Sequence, residues 1–358
     1  MNSKAVPSRG LHRVVGQPGV LPQPAERLDA AMPCQNTEIE IAVEHIHVDA
    51  SSLRQLRGAH LGDLEAVRAA ILELVQRRGK LHNPVTNSGG MLTGVVRAVG
   101  DAYPSPPMVG TRIASLTSLT LTPLRLDELG AIDSRSNSVA ARGTAFLFET
   151  SPWAALPRDI PEAVALAAFD VAGAPARVRA RTSPGSRVLI VGAGNSGSLA
   201  AVAAAEAGAA EVIVADVNAE RLRSITKLAL PGVRTLQADA TNAIAFAAAV
   251  GEPADLTASC VDLAGVESAC ILATRPDGHI LFFSMASGFA RAALGAEGVG
   301  SAATLEIGNG FYPGHAELVV DLLRRHPTFW GILAPSARAD AEGVDRTKYP
   351  ATFLSGGG

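Results

Sequence analysis

One segment constrains the fold of this chain more than any other. The run Arg187-Val-Leu-Ile-Val191 leads straight into Gly192-Ala-Gly194-Asn195-Ser196-Gly197. Residues apolar at consecutive positions suit a strand covered on both faces. The glycine spacing suits the turn from that strand into a helix: the first glycine permits a tight turn, the second admits a diphosphate to the backbone, and the third lets helix and strand pack closely. Ala-rich sequence follows to about Gly208, and then Glu211-Val-Ile-Val-Ala-Asp216 repeats the strand pattern. The strings VRTLQAD, DLTASCV and HILFFS continue the alternation with helical stretches between them. This is βαβαβ order, a doubly wound parallel sheet over residues 165–312, with 313–334 as a C-terminal helix region that His315 begins.

Ligands of such sheets lie beyond the carboxyl ends of the strands. There the sequence places Asp216, Asp239, Cys260, Val261, Ser284 and Met285, with Asn195 and Ser196 in the glycine loop itself. Asp239, the pair Cys260 and Val261, and the pair Ser284 and Met285 are the expected neighbours of adenine, ribose and nicotinamide in turn. Asn309, after the last strand, is placed on the nicotinamide side. Asp216 ends its strand about 20 residues beyond the glycines, where a carboxylate accepts from both ribose hydroxyls and repels a 2′-phosphate, so NAD is expected over NADP. Arg221 and Arg223 temper that preference. Asp216 also reads as a helix cap, and Cys260 as ordinary core packing.

Residues 1–164 read differently. IEIAV at 39–43 alternates apolar and polar positions and MLTGVVRAV at 91–99 is strand-like, with turn residues between. One helix is expected in this region, from Leu64 through Arg78, capped by Asp63 and closed by Gly79. It hands the chain to KLHNPVTNSGG, a polar loop suited to holding functional side chains. The chain has 358 residues, enough for two domains at roughly 150 residues each. A formal charge of -3 without a basic block argues against nucleic acid as a partner, and no apolar run is long enough to cross a membrane. The N-terminus lacks the apolar core of a signal peptide, and the three cysteines form no close-spaced pair, which fits a cytoplasmic protein. Residues 335–358 lack periodicity and read as a flexible tail.

A β-rich domain ahead of a Rossmann domain resembles the medium-chain dehydrogenase/reductase superfamily, in which a GroES-like substrate domain and a nucleotide domain close over a cleft. Zinc-dependent members place a Gly-His-Glu segment where this chain has NSGGMLTGVV, and the four-cysteine lobe has no counterpart, so a metal-free enzyme is expected. Five strings narrow the resemblance: GVLPQPA at 19–25, HNPVTNSGGMLTG at 82–94, SLTLTPLRLDEL at 118–129, ALAAFDVAGAPA at 165–176, and SMASGFARAALGAEGVG with IGNGFYPGHAE at 284–317. Together they resemble the L-erythro-3,5-diaminohexanoate dehydrogenase family of lysine fermentation. That resemblance implies NAD-dependent oxidative deamination of a small diamino acid. A homo-oligomer is a superfamily expectation.

An amine must be neutral to release hydride from its carbon, and a substrate with one carboxylate and two amines needs both cationic and anionic partners. His82 is the candidate base and Asn83 an orienting group for amine or water. Glu149 and Asp170 are candidate ammonium partners, Asp170 because a carboxylate in an apolar string is costly unless paired or solvated. Lys80 and Arg125 are candidate carboxylate partners, and Thr86 and His47 are candidate pocket residues. Structural readings stand beside these: an Asp170 bonded to a nearby backbone turn, a solvent-exposed or structural His82, an Arg125 that bridges domains, and a Glu149 in a structural salt bridge. Two other readings stand beside this one, a zinc-free quinone or enoyl reductase and a nucleotide-binding regulator that has lost catalysis.

Overall fold

In the computed structural model, residues 9–133, 138–284 and 286–333 are described. Met285 and the tail expected at 335–358 lie outside them. The chain divides between Leu156 and Pro157 into two units.

The first unit holds β1 (Glu38–Val48), α1 (Ala50–Ala59), α2 (Leu64–Arg78), β2 (Gly90–Val99), β3 (Arg112–Ser115), β4 (Leu124–Asp133), β5 (Ser138–Phe148) and β6 (Trp153–Ala155). Its strands form one antiparallel sheet in the order β4-β5-β1-β2-β3-β6. β1 turns Ile39, Ile41 and Val43 into the core, then Ile46 and Val48. The step from 43 to 46 breaks the two-residue period, and a bulge between Val43 and His45 absorbs it against both neighbouring strands. His45 and His47 are thereby kept off the core face. α2 is capped as its sequence dictates: the Asp63 carboxylate accepts from the Glu65 and Ala66 amides, and Gly79 ends the helix at φ 62°. α1 is a second helix where one was expected. Only Leu53 and Leu56 among its apolar residues are buried, too few to show a period, and its start depends on Asp49 accepting from the Ser51 and Ser52 amides.

The N-terminal segment is fastened to this unit by a buried cation. Arg13 is fully buried, with its guanidinium 3.9 Å from the centre of the Phe146 ring. It donates to both carboxylate oxygens of Glu38 and to the carbonyls of Asp29, Met32 and Pro33. His12 and the Gln35 amide complete the surroundings of Glu38, whose carboxyl is held below the usual range by these partners against the opposing effect of burial.

The second unit begins with α3 (Glu162–Phe169), so the boundary expected at 164 would cut a helix that packs on later elements of this unit. α4 (Gly173–Arg181) leads to β7 (Arg187–Val191), α5 (Asn195–Glu206), β8 (Glu211–Asp216), α6 (Ala219–Thr226), β9 (Val233–Gln237), α7 (Ala243–Val250), β10 (Ala254–Ser259), α8 (Glu267–Leu272), β11 (Thr274–Phe282), α9 (Phe289–Gly298), β12 (Thr304–Ile307), α10 (His315–Arg325) and α11 (Trp330–Leu333). All six strands are parallel, in the order β9-β8-β7-β10-β11-β12. Val188 and Ile190 join a core with α5 and α6 residues on one face, and Leu189 and Val191 join a core with α7, α8 and α9 residues on the other. Consecutive apolar residues are therefore all buried, each contributing about 1.5–3 kcal/mol. The short β12 extends the sheet beyond the strands legible in the sequence. The strand order reverses between β7 and β10, which makes their carboxyl ends the switch point where ligands bind in such sheets.

Candidate functional site

Each glycine of the loop after β7 has its own physical reason. Gly192 turns at φ 106°, and a Cβ there would lie 2.8 Å from Val261 Cγ1. A Cβ at Gly197 would fall 1.8 Å from the Gly192 carbonyl oxygen. At Gly194 a Cβ would meet nothing within 4 Å, so that residue faces open space rather than protein. Gly194 is the N-cap of α5 and offers its first-turn amides no side-chain acceptor. Asn195 and Ser196 open this 12-residue helix, and first-turn amides of a helix are able to hold an anion. The loop thus fits the diphosphate of a dinucleotide.

Asp216 is 7% exposed and ties this loop to the end of β8. Its Oδ2 accepts from the Ala193 amide at 2.7 Å and its Oδ1 from the Asn218 amide at 2.8 Å. Asn218, not Asp216, caps α6. Each carboxylate oxygen has further acceptor capacity for a ribose hydroxyl. Cys260 and Val261 follow β10 across the switch point, against Gly192. Burial pushes the Cys260 thiol up to about 12, so it is no nucleophile at neutral pH. Asp239 is exposed and accepts from the Thr241 amide and hydroxyl, which hold its carboxyl below the usual range. Ser284 bonds Asp262 at 3.4 Å. The Asn309 side chain is occupied by Arg177 and by the Phe311 amide, an arrangement that orders the loop after β12.

In the first unit, α2 delivers the chain to a hairpin loop closed by Asn83 and Ser88. His82 is 5% exposed. Its Nε2 lies 3.4 Å from Asn87 Oδ1, and its Nδ1 has no hydrogen-bond partner among the described residues. With Nε2–H donating to Asn87, Nδ1 carries a lone pair. Burial, and secondarily Lys80 and Arg78, hold this imidazole below its ordinary value, so it is neutral at pH 7. Asn83 donates to Gln55 Oε1 at 2.8 Å and accepts from the Val85 amide. Thr86 Oγ1 stands 2.6 Å from Ser52 Oγ and 3.0 Å from Ser88 Oγ. Ser88 and Ser51 both donate to Asp49 Oδ1, giving a carboxylate ringed by hydroxyls beside the hairpin. Asp49, Ser51, Ser52, Gln55 and Ser88 carry no signal in the sequence, because α1, with Ser51, Ser52, Gln55 and the capping Asp49, buries only two of its apolar residues.

The remaining candidates lie in varied surroundings. Lys80 is fully buried and donates to the carbonyls of Pro22 and Gln23 at 2.7 and 2.8 Å, so its ammonium fastens the N-terminal segment and is withdrawn as a carboxylate partner. Arg125 lies on the sheet surface in β4, bonded to Asp127. Asp170 is the exposed C-cap of α3, so its carboxylate is solvated rather than buried in the apolar string. Glu149 follows β5 and accepts from the Arg9 amide at 3.3 Å. His47 lies 6.3 Å from His45 between ring centres, and its Nε2 has no partner among the described residues. Burial lowers it to about 4. No group of three or more His, Cys, Asp or Glu among the described residues is placed to hold a metal.

A model of the L-erythro-3,5-diaminohexanoate dehydrogenase N-terminal domain matches residues 12–157. Two curated relatives named L-erythro-3,5-diaminohexanoate dehydrogenase, from Fusobacterium nucleatum and Acetoanaerobium sticklandii, are 41% and 40% identical, and each match covers 88% of this chain and 94% of the relative. The chain belongs to the L-erythro-3,5-diaminohexanoate dehydrogenase family. It is therefore a dehydrogenase of the oxidoreductase class. Among solved structures, an alcohol dehydrogenase from Thermus sp. ATN1 is 16% identical with a TM-score of 0.50, the match covering 90% of this chain and 93% of that one. That likeness is one of fold, pairing a GroES-like β-rich unit with a Rossmann unit. No described helix is long and apolar enough to cross a membrane.

Proposed function

We propose that the protein converts L-erythro-3,5-diaminohexanoate, NAD and water to (S)-5-amino-3-oxohexanoate, NADH and ammonium. The observation that carries this reading is the Asp216 carboxylate beside the glycine turn, in a chain that shares 40–41% identity with dehydrogenases named for this substrate. NAD, when bound, accepts the hydride from the carbon bearing the 3-amino group. The α5 amides would hold its diphosphate and Asp216 its adenosine ribose, which would favour a free 2′-hydroxyl over a 2′-phosphate. His82 Nδ1, neutral and unprotonated, takes the proton that the substrate's 3-ammonium must lose before hydride departs. Asn83 orients the amine and then the water that replaces it. The Asp49 carboxylate with Ser51, Ser52, Thr86 and Ser88 receives an ammonium group, a role better served there than by Asp170. Gly89, Gly90 and Met91 bring no ligand side chain to the position where zinc enzymes of the superfamily carry theirs, which supports catalysis without metal.

The test is NADH formation by purified protein from the diamino acid, with NAD and NADP compared and a chelator present. Chelator-insensitive reduction of NAD, faster than of NADP, is the expected result. Oxidation of NADPH by a quinone or enoyl substrate, with no turnover of the diamino acid, would replace this reading with a reductase. Tight NAD binding without turnover of any amino acid or carbonyl compound would leave a regulator.

A further inference from the structure

We propose that Glu267 is a positioning residue that sets the nicotinamide side of the dinucleotide site by fastening two loops to each other. The inference rests on the cofactor reading above. Glu267 is the first residue of α8 and is fully buried. Its Oε2 accepts from the Gly265 amide at 2.9 Å and its Oε1 from the Gly288 amide at 2.5 Å. Gly265 belongs to the loop after β10, which begins with Cys260 and Val261. Gly288 ends the loop after β11, which begins with Phe283 and Ser284, and is the N-cap of α9.

These loops serve the half of the sheet on the β10 side of the switch point, the second mononucleotide half, while Asp216 and the α5 start serve the first. One carboxylate therefore holds the spacing of the walls on one side only. Its nearest cation, Arg291, stands 3.9 Å away with a side chain 61% exposed, so backbone amides are its close partners. Burying a carboxylate on such terms is costly, and an apolar residue of similar volume would spare the cost but leave both amides unmade. The space is also exact: a Cβ at Gly288 would come within 3.3 Å of Glu267 Oε1. A second bond joins the same loops, from Ser284 Oγ to Asp262 Oδ1 at 3.4 Å.

The geometry separates this role from general stabilisation, because it predicts an effect on one end of the ligand. In Glu267→Gln, one oxygen becomes an amide that faces an N–H donor, so one loop is released. Dissociation constants are measured for NADH and for ADP-ribose, which lacks the nicotinamide, with wild-type protein and variant. The expected result is NADH binding weakened roughly tenfold, ADP-ribose binding within about twofold, and a matching fall in kcat. Equal weakening of both ligands, or no change in either, overturns the proposal. Should that variant fail to fold, Asp262→Ala removes the exposed acceptor of the second bond and is expected to shift NADH binding two- to threefold in the same selective way; an unselective or absent shift is again fatal. Wild-type protein that binds neither NADH nor ADP-ribose would sink the cofactor reading and this inference with it, whereas binding of both with an unselective variant sinks the inference alone.

Discussion

Lys80 and His82 stand two positions apart, and burial acts on both in the same direction: it lowers the Lys80 ammonium to about 8 and the His82 imidazole below its ordinary value. Their roles nevertheless diverge, because Lys80 has two carbonyl acceptors while His82 Nδ1 has none among the described residues. Lys80→Met should lower stability by about 1–3 kcal/mol in urea titrations, through the stranded carbonyls of Pro22 and Gln23, with the substrate KM unchanged. His82→Gln should cut kcat by about 10²–10⁴, the range of a general base. In the wild type, the acid limb of kcat/KM should lie below the ordinary histidine value; a limb at or above pH 6.5 would remove His82 from the role. Asp216→Ala should erase most of the preference for NAD over NADP, read as the ratio of the two kcat/KM values. The contrast between Lys80 and His82 was not legible in the sequence. Both sit in one polar string, and what separates them is the chain of residues 19–25 folding back onto only one of them.

At the scale of elements, the β7 loop offers a comparison between two glycines with different duties. Gly197→Ala should destabilise the second unit outright, since its Cβ would fall 1.8 Å from a carbonyl oxygen. Gly194→Ala meets no protein atom, so thermal unfolding without ligand should be unchanged while the KM for NAD rises. If both variants lose melting temperature equally, the open space at Gly194 is not a ligand cradle. These elements were legible because their pattern is local: five apolar residues, three glycines at fixed spacing, an acid at the end of the next strand. α1 and β12 were not. α1 buries two leucines, and its start is set by one side chain, Asp49; β12 has four residues and only its pairing with β11 makes it a strand. The hydroxyl ring around Asp49 needed α1 and the 82–88 hairpin brought together, and no run of sequence contains both.

For the whole molecule, the buried imidazoles predict an acid limit. The folded His47 stays neutral down to about 4. The unfolded chain takes up its proton near 6.5, so the stability that His47 contributes is complete above that pH and is lost as pH falls toward 4, by at most roughly 3 kcal/mol. His82 in the same unit and His315 in the other are shifted the same way. Urea midpoints measured at pH 7 and pH 5 should therefore fall on acidification, and His47→Gln should fall less. The order of synthesis adds a constraint of a different kind. Arg13 leaves the ribosome early, yet its guanidinium finds its anion only when Glu38 arrives and its aromatic seat only when Phe146 does. The segment thus has its full set of contacts only once β1 and β5 have both been made. A truncation before Glu38 would take away the guanidinium, imidazole and amide that answer its carboxylate, and with them the fastening of that end of the unit.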